Sequence, residues 1–198
     1  DKLNKVFDIN DYDTAGKKVL MRADFNVPLK DGSITDDSRI RAALPTIKLL
    51  LEKGSLQIIL MSDLGRPKGK PTEEFKLDPV AKRLGELLEM EIGKVDDCVD
   101  VELPDNKIIL LENLRFHEEE EKNDPLFAEK LSKHGDVYIN DAFGTCHRAH
   151  ASVHAITEHL PSIPGLLLKK EIENLTIQNP ERPFIFILGG AKLDTKIP

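Results

Sequence analysis

Short apolar runs alternate along most of this chain with longer segments that are apolar on one face only, and this rhythm restricts the possible folds more than any other feature. In chain order, the runs and segments are Lys18–Met21, Arg39–Glu52, Gln57–Met61, Pro79–Glu89, Lys107–Leu111, Pro125–Lys133 and Val137–Asn140. The short runs have the length of buried strands, and the longer segments repeat with the period of a helix. Because strands that alternate with helices form β–α units, we expect an α/β fold with a parallel β-sheet flanked by helices.

The predicted helix starts carry recognisable signals. Asp78-Pro79 and Asp124-Pro125 each place an aspartate before a proline, an arrangement typical of an N-cap followed by proline at the first helical position. Pro45 lies inside the apolar pattern of Arg39–Glu52, where it cannot donate a backbone hydrogen bond. We therefore expect this helix either to begin later than its pattern indicates or to kink at Pro45.

The pattern changes after Val153, which indicates domain boundaries. Leu160–Gly165 is rich in turn residues, Leu166–Gln178 is helical in pattern, and Phe184–Leu188 is typical of a new buried strand that leads into Gly189-Gly190-Ala191-Lys192. We predict a three-layer, Rossmann-like domain over residues 1–165, a connector over 166–182 and the start of a second α/β domain over 183–198.

Composition excludes several classes of protein. The 198 residues are 40% hydrophobic, yet no run approaches the roughly 20 apolar residues of a membrane helix, and Asp1–Asn4 lacks the layout of a signal peptide. We therefore expect a soluble, cytoplasmic protein whose Cys98 and Cys146 are free thiols. The net charge of −7 argues against a broad nucleic-acid or membrane surface, and we expect the acidic run Glu118–Glu121 to be solvated.

Arginines follow the predicted strands. Arg22, Arg66, Arg115 and Arg148 each come at or after the carboxyl end of one strand, and Arg39 begins the first helix. Ligands of an open parallel sheet bind outside these strand ends, so the side chains should converge on one crevice. Each arginine could instead make a surface ion pair, but a cluster of guanidinium groups in an acidic protein favours a small ligand with several negative charges.

Other residues near the strand ends fit the same crevice. Gly65 and Gly144 allow backbone N–H groups to approach an oxyanion, and Asp24 and Asn26 could accept hydrogen bonds from a substrate hydroxyl, although both residue types are also common in turns.

Three histidines stand at spacings that a metal site could use. His147, His150 and His154 would share one face of a helix, close to Cys146. Arg148 lies among them, and a guanidinium repels a cation. We therefore expect no metal site there, and we predict that His147 contacts an anion.

The strand-end segments resemble the signature motifs of the phosphoglycerate kinase family. The matching segments are Arg22-Ala23-Asp24-Phe25-Asn26-Val27-Pro28, Leu64-Gly65-Arg66-Pro67, Glu112-Asn113-Leu114-Arg115-Phe116, Asn140-Asp141-Ala142-Phe143-Gly144 through His147-Arg148-Ala149-His150, and Gly189-Gly190-Ala191-Lys192. The resemblance therefore extends along nearly the whole chain.

The resemblance implies a two-domain, monomeric enzyme of glycolysis that transfers a phosphoryl group between 1,3-bisphosphoglycerate and ADP, giving 3-phosphoglycerate and ATP, with Mg2+ bound to the nucleotide. It implies that Asp24 and Asn26 hold the glycerate and that Arg39 and Lys192 assist the transfer. The implied lining for phosphate and carboxylate is Arg22, Arg39, Arg66, Arg115, Gly144, His147 and Arg148, and the implied nucleotide-binding residues are Gly189, Gly190, Lys192 and Lys196.

Two departures from the family pattern bear directly on function. Asp63 stands where the family usually has histidine, so we expect its carboxylate either to face the carboxylate of the substrate and weaken binding, or to turn outward and pair with a neighbouring arginine. The chain also ends at Pro198, and we expect the 198 residues alone to bind the glycerate without catalysing the transfer.

Two alternative functions are less consistent with the sequence. A non-catalytic α/β module that binds a small anion would explain the arginines, but not the strand and glycine turn over Phe184–Lys196. A nicotinamide-dependent dehydrogenase is disfavoured because no GxGxxG follows the first strand, and the chain also lacks a Walker P-loop.

Overall fold

A six-stranded parallel sheet forms the centre of the computed structural model, which describes residues 8–175. The strands, in chain order, are β1 (Lys18–Arg22), β2 (Leu29–Lys30), β3 (Ser33–Ile34), β4 (Gln57–Met61), β5 (Ile92–Lys94), β6 (Ile108–Leu110), β7 (Val137–Asn140) and β8 (Ser162–Pro164). β2 and β3 pair as a small antiparallel hairpin, and the other six follow the order β5-β6-β4-β1-β7-β8 across the sheet. The predicted α/β class with a parallel sheet is confirmed.

Helices cover both faces of the sheet and complete three layers. They are α1 (Ser38–Glu52), α2 (Asp78–Leu88), α3 (Pro125–Ser132) and α4 (Leu166–Leu175). Val19 packs in the same apolar cluster as residues of α1 and α2, whereas the next residue, Leu20, packs with residues of α3. This alternation follows from the pleat of a strand, which sends successive side chains to opposite faces.

The sequence predicted most element boundaries to within one residue, but two strands of the sheet were not predicted. Gln57–Met61 and Val137–Asn140 are strands with the predicted bounds, whereas β5 and β8 are three-residue strands. Ser162–Pro164, which the sequence assigned to a turn-rich passage, pairs in parallel with β7. A run of three residues is too short to show a period, so its pairing with a neighbouring strand determines its structure.

Two helix predictions are wrong in part. α1 does not begin later than its pattern indicated but runs from Ser38 to Glu52 with Pro45 inside it, while a kink at Pro45 stays a prediction. Its buried residues lie on both sides of Pro45, so packing against the sheet compensates for the lost hydrogen bond. Asp124 caps α3 by accepting a hydrogen bond from the backbone N–H of Phe127 (2.8 Å), whereas Asp78 is the first residue of α2 and makes no capping hydrogen bond.

A helix begins at Leu166, where the sequence pattern placed one. α4 starts at Leu166 and packs against α1 and β8. The remainder of the predicted connector and the predicted second domain lie beyond the described residues, so the domain boundaries stay predictions. Within residues 8–175, no helix has both the length and the apolar character needed to cross a membrane.

Candidate anion-binding site

The loop after β1 is tied to the start of α1 by one arginine. Nη1 of Arg39 donates hydrogen bonds to Oδ1 and Oδ2 of Asp24 (3.2 and 3.3 Å) and to the carbonyl oxygen of Asn26 (2.9 Å). Oδ1 of Asp24 also accepts the backbone N–H of Asn26 (3.1 Å). Arg39 therefore closes one side of the crevice, while about half of its side chain remains exposed to a ligand.

The loop after β4 holds a glycine turn next to Arg66. Gly65 has φ +63°, and a Cβ built on it would lie 2.3 Å from the ring of Phe75, so only glycine fits here. The backbone N–H of Gly65 donates to Oδ1 of Asn26 (3.0 Å), which joins this turn to the loop after β1. Arg66 is exposed at the turn.

Arg115 is positioned by a buried asparagine. Oδ1 of Asn113 accepts the backbone N–H groups of Arg115 (3.0 Å) and Leu64 (3.2 Å), and its Nδ2 donates to the carbonyl oxygens of Leu64 (2.7 Å) and Phe75 (2.9 Å). The guanidinium of Arg115 donates to the carbonyl oxygen of Gly65 (3.0 Å). Asn113 therefore joins the loops after β4 and β6, and it was not predicted from the sequence as a site residue.

The loops enclose a cleft of about 420 Å³ at the carboxyl ends of β1, β4, β6 and β7. The lining residues are Asp24, Asn26, Arg39, Asp63, Gly65, Arg66, Arg115, Gly144, Thr145 and Arg148. Four of these residues are arginines and two are aspartates, so the lining has an excess of positive charge. This position at the carboxyl ends of parallel strands is where open α/β sheets bind ligands.

A layer of buried charges lies behind the cleft. Arg22, whose side chain is 0% exposed, donates through Nη2 to Oδ1 of Asp63 (2.6 Å) and through Nε to the hydroxyl of Ser152 (2.9 Å). The other oxygen of Asp63, Oδ2, lies 3.3 Å from Nη2 of Arg115. Glu120 is also fully buried and accepts the backbone N–H of Ser152 through Oε1 (2.8 Å). The layer thus contains two guanidinium and two carboxyl groups.

The pKa shifts in this layer follow from burial and from the neighbouring charges. Burial pushes the pKa of Asp63 upward, but Arg22 and Arg115 outweigh it and hold the pKa of this carboxyl below its ordinary value. Burial also opposes the charged form of Arg22, yet Asp63 and Glu120 raise the pKa of its guanidinium. Burial raises the pKa of Glu120, an effect that Arg22 only partly offsets. Asp63 is therefore ionised between two cations.

A family model described as phosphoglycerate kinase matches residues 9–198. The chain belongs to the phosphoglycerate kinase family.

Individual relatives agree with this assignment. The chain is 55% identical to the phosphoglycerate kinase of Dictyoglomus turgidum over 97% of its length and 54% identical to that of Moorella thermoacetica over 96%, and each alignment covers 50% of the relative. The solved phosphoglycerate kinases of Coxiella burnetii and Pyrococcus horikoshii superpose with TM-scores of 0.85 and 0.81 at 35% identity, over 96% and 95% of this chain and 50% of each solved chain. The chain thus spans about half the length of the relatives that it matches.

Most of the residues that the family motifs indicated line the cleft. Asp24, Asn26, Arg39, Arg66, Arg115, Gly144 and Arg148 all do so, together with Thr145, which was not predicted. Arg22 is buried behind the cleft and does not line it. His147 is exposed and lies outside the lining, and residues 147–154 contain turns and irregular backbone but no helix, so the three histidines do not share a helix face. Gly189, Gly190, Lys192 and Lys196 lie outside the described residues.

Two expectations about acidic residues are wrong in part. Asp63 pairs with arginines, as one alternative required, but it turns inward: its side chain is 1% exposed, and both oxygens face Arg22 and Arg115. A carboxylate neutralised in this way has little charge to present to a ligand, while its effect on affinity stays a prediction. The run Glu118–Glu121 is not solvated throughout, because Glu120 turns inward to the backbone of Ser152.

Proposed function

We propose that this chain provides the 3-phosphoglycerate-binding part of a phosphoglycerate kinase. The whole enzyme would transfer a phosphoryl group reversibly between 1,3-bisphosphoglycerate and ADP, giving 3-phosphoglycerate and ATP. The observation that carries the proposal is the convergence of four arginines on one cleft in a chain that has the family's fold. 3-Phosphoglycerate has a phosphate, a carboxylate and a hydroxyl group, and guanidinium groups bind the first two through paired, charge-assisted hydrogen bonds.

The positions of the lining residues support separate roles. Arg66, Arg115 and Arg148 would bind the anionic groups, since all three arginines line the cleft. Asp24 and Asn26 would accept a hydrogen bond from the hydroxyl group of the glycerate. Arg39, fixed by Asp24 but half exposed, would neutralise the phosphoryl group in transfer. Phosphoryl transfer depends mainly on positioning and on neutralising charge, and such preset cations need little rearrangement during the reaction.

The nucleotide side of the reaction rests on residues outside the described range. Lys192 would stabilise the phosphoryl group, and Gly189, Gly190 and Lys196 would contact the nucleotide phosphates. Mg2+ would arrive with ADP or ATP and neutralise part of their charge.

Calorimetric titration of the purified chain with 3-phosphoglycerate and, separately, with Mg2+–ADP tests the proposal. We expect the glycerate to bind, and to bind more tightly at low than at moderate salt, because exposed charges are screened. Inorganic phosphate should bind at least about tenfold more weakly, since it lacks a carboxylate whose charge-assisted hydrogen bonds are worth about 1.5–3 kcal/mol. Equal affinities for the two ligands would favour a general small-anion module, and no binding of the glycerate would contradict the proposal.

Two arginines of α1 provide a matched pair of variants. Arg39→Gln should weaken binding of 3-phosphoglycerate by about tenfold or more, because it removes a cation from the cleft. Arg41→Gln should leave the affinity unchanged, since Arg41 pairs with Asp37 and does not line the cleft. Equal losses in both variants would show that the charge of the protein as a whole, rather than the cleft, determines binding.

A further inference from the structure

A cluster of three side chains with possible metal-ligand atoms lies outside the cleft. Asp97 and Cys98 follow β5, and His117 follows the turn Leu114–Phe116 that carries Arg115. One ligand atom of each of the three residues lies within 4.8 Å of the others. None of the three lines the cleft.

The cluster is held in place before any ion binds. Oδ1 of Asp97 accepts the backbone N–H of Cys98 and lies 2.7 Å from Nε2 of His117. The ring of His117 packs against that of Phe127, with the centroids 5.3 Å apart. These contacts fix the carboxylate and the imidazole, so little conformational entropy would be lost on coordination.

The surroundings favour a cation with some affinity for sulfur. Cys98 is fully buried and belongs to the apolar cluster that contains Val95 and Phe127, whereas Asp97 and His117 are partly exposed. The thiol therefore lies at the inner end of the cluster, and an ion could approach from the side of the other two ligands. The carboxylate of Asp97, which is only partly buried, would attract a divalent cation.

We propose that Asp97, Cys98 and His117 form a binding site for a divalent transition-metal ion of borderline softness, such as Zn2+. Sulfur, nitrogen and oxygen from three side chains, with water in the fourth position, make a tetrahedral set that Zn2+ accepts. Binding would release the proton of the Cys98 thiol to solvent, because the thiolate is the ligand. The bound ion would join the loop after β5 to the turn that carries Arg115.

Titration with Co2+, a spectroscopic substitute for Zn2+, tests the site. The reference chain should carry Cys146→Ser, because Cys146 is an exposed thiol that could bind cobalt on its own. We expect one equivalent of Co2+ to produce the sulfur-to-cobalt charge-transfer absorption of the near ultraviolet, and Zn2+ to abolish it. Absence of this absorption would overturn the proposal.

Variants in the same background assign the ligands. Cys98→Ser should abolish the absorption, and His117→Gln should weaken Co2+ binding by at least about tenfold, the lower bound for the loss of a residue that supports a metal site. His159→Gln, at an exposed histidine, is the matched control and should bind as the reference does. Circular dichroism should first establish that each variant is folded. If Cys98→Ser is unfolded, the Co2+ affinities of His117→Gln and His159→Gln alone test the proposal. An absorption that survives Cys98→Ser, or equal affinities in the two histidine variants, would overturn the proposal.

Discussion

Asp63 is shared by two buried or nearly buried arginines, and this pairing explains how so many cations can gather at one edge of the sheet. Arg22 takes one carboxylate oxygen and Arg115 lies beside the other. Without Asp63, Arg22 would be left with the negative charge of Glu120 alone, and burial opposes that charge. A buried ion pair adds little net stability compared with apolar packing, but the loss of one partner is costly because it leaves a buried charge uncompensated.

We therefore expect Asp63→Asn to lower the free energy of unfolding by about 3–5 kcal/mol. Urea denaturation at neutral pH measures this change. Asp24→Asn is the matched control: its partner Arg39 is about half exposed, so the loss should be at most about 1 kcal/mol. Similar losses in both variants would show that burial does not determine the cost.

At the scale of the element, the turn at Gly65 connects the loop after β4 to the loops after β1 and β6. Gly65 contacts Asn26 through its N–H and Arg115 through its carbonyl oxygen, and it has a backbone conformation that other residues rarely adopt. Gly54 has a similar φ of +74° but open space where a Cβ would be placed. Alanine substitutions at Gly54 and Gly65 therefore distinguish the cost of backbone strain from the cost of steric overlap.

Gly54→Ala should cost about 1–2 kcal/mol of unfolding free energy, from backbone strain alone. Gly65→Ala should cost a further 1–3 kcal/mol or so, because its Cβ would overlap the ring of Phe75. Gly65→Ala should also weaken binding of 3-phosphoglycerate, and calorimetry can detect this loss. Equal costs and unchanged binding in the two variants would contradict this account of the turn.

The start of α4 depends on a buried carboxylate at the end of β7. Oδ1 of Asp141 accepts the backbone N–H of Leu167 (3.0 Å), and a Cβ on Gly165 would lie only 2.1 Å from this oxygen. Burial raises the pKa of Asp141 from 3.8 to about 6. The folded protein therefore holds this proton more tightly than the unfolded chain does.

The sign of this shift gives a pH prediction. A raised carboxyl pKa contributes stability that is complete below about pH 4 and is lost as the pH rises through about 6. The asparagine of Asp141→Asn cannot ionise, so the free energy of unfolding of the variant, relative to the parent, should increase by about 2–3 kcal/mol over this interval. Urea denaturation across this pH range is the measurement. A difference that does not change with pH would show that Asp141 does not titrate in this window.

The sequence predicted which loops form the cleft better than it predicted the directions of individual side chains. Because ligands bind at the carboxyl ends of parallel strands, the positions of Arg66, Arg115 and Arg148 after strands were enough to place them at one cleft. Arg22 could not be placed in this way: it is the last residue of β1, and its direction depends on Asp63 and Ser152, which are far away in sequence. The same holds for Glu120, whose burial depends on the backbone of Ser152.

At the scale of the whole molecule, the cleft would couple ligand binding to folding. Its lining comes from segments that follow four strands of the sheet, so a bound anion would contact parts of the chain that separate on unfolding. A ligand that binds only the folded state stabilises it by about 2.7 kcal/mol at 100 times its Kd.

For a chain of this size, that stabilisation corresponds to a rise in Tm of about 5–10 °C. A thermal-shift titration with 3-phosphoglycerate measures it, with sodium chloride at equal ionic strength as the control. Arg148→Ala should show a smaller shift at the same ligand concentration, because it removes one cation from the lining. An equal shift with sodium chloride would mean that general ionic stabilisation, rather than binding in the cleft, is responsible.

The central position of β1 also affects how the polypeptide is made on the ribosome. β1 pairs with β4 on one side and with β7 on the other. Next to the pairing with β7, the backbone N–H of Lys18 donates a hydrogen bond to Asp136, a residue 118 positions later in the chain. At about 5–20 residues per second, synthesis of that interval takes on the order of 6–24 seconds. During this time the apolar strand Lys18–Arg22 has at least one unpaired edge in the nascent chain, where strands of other chains could add. Shielding of this edge by a chaperone would matter most before residue 140 emerges.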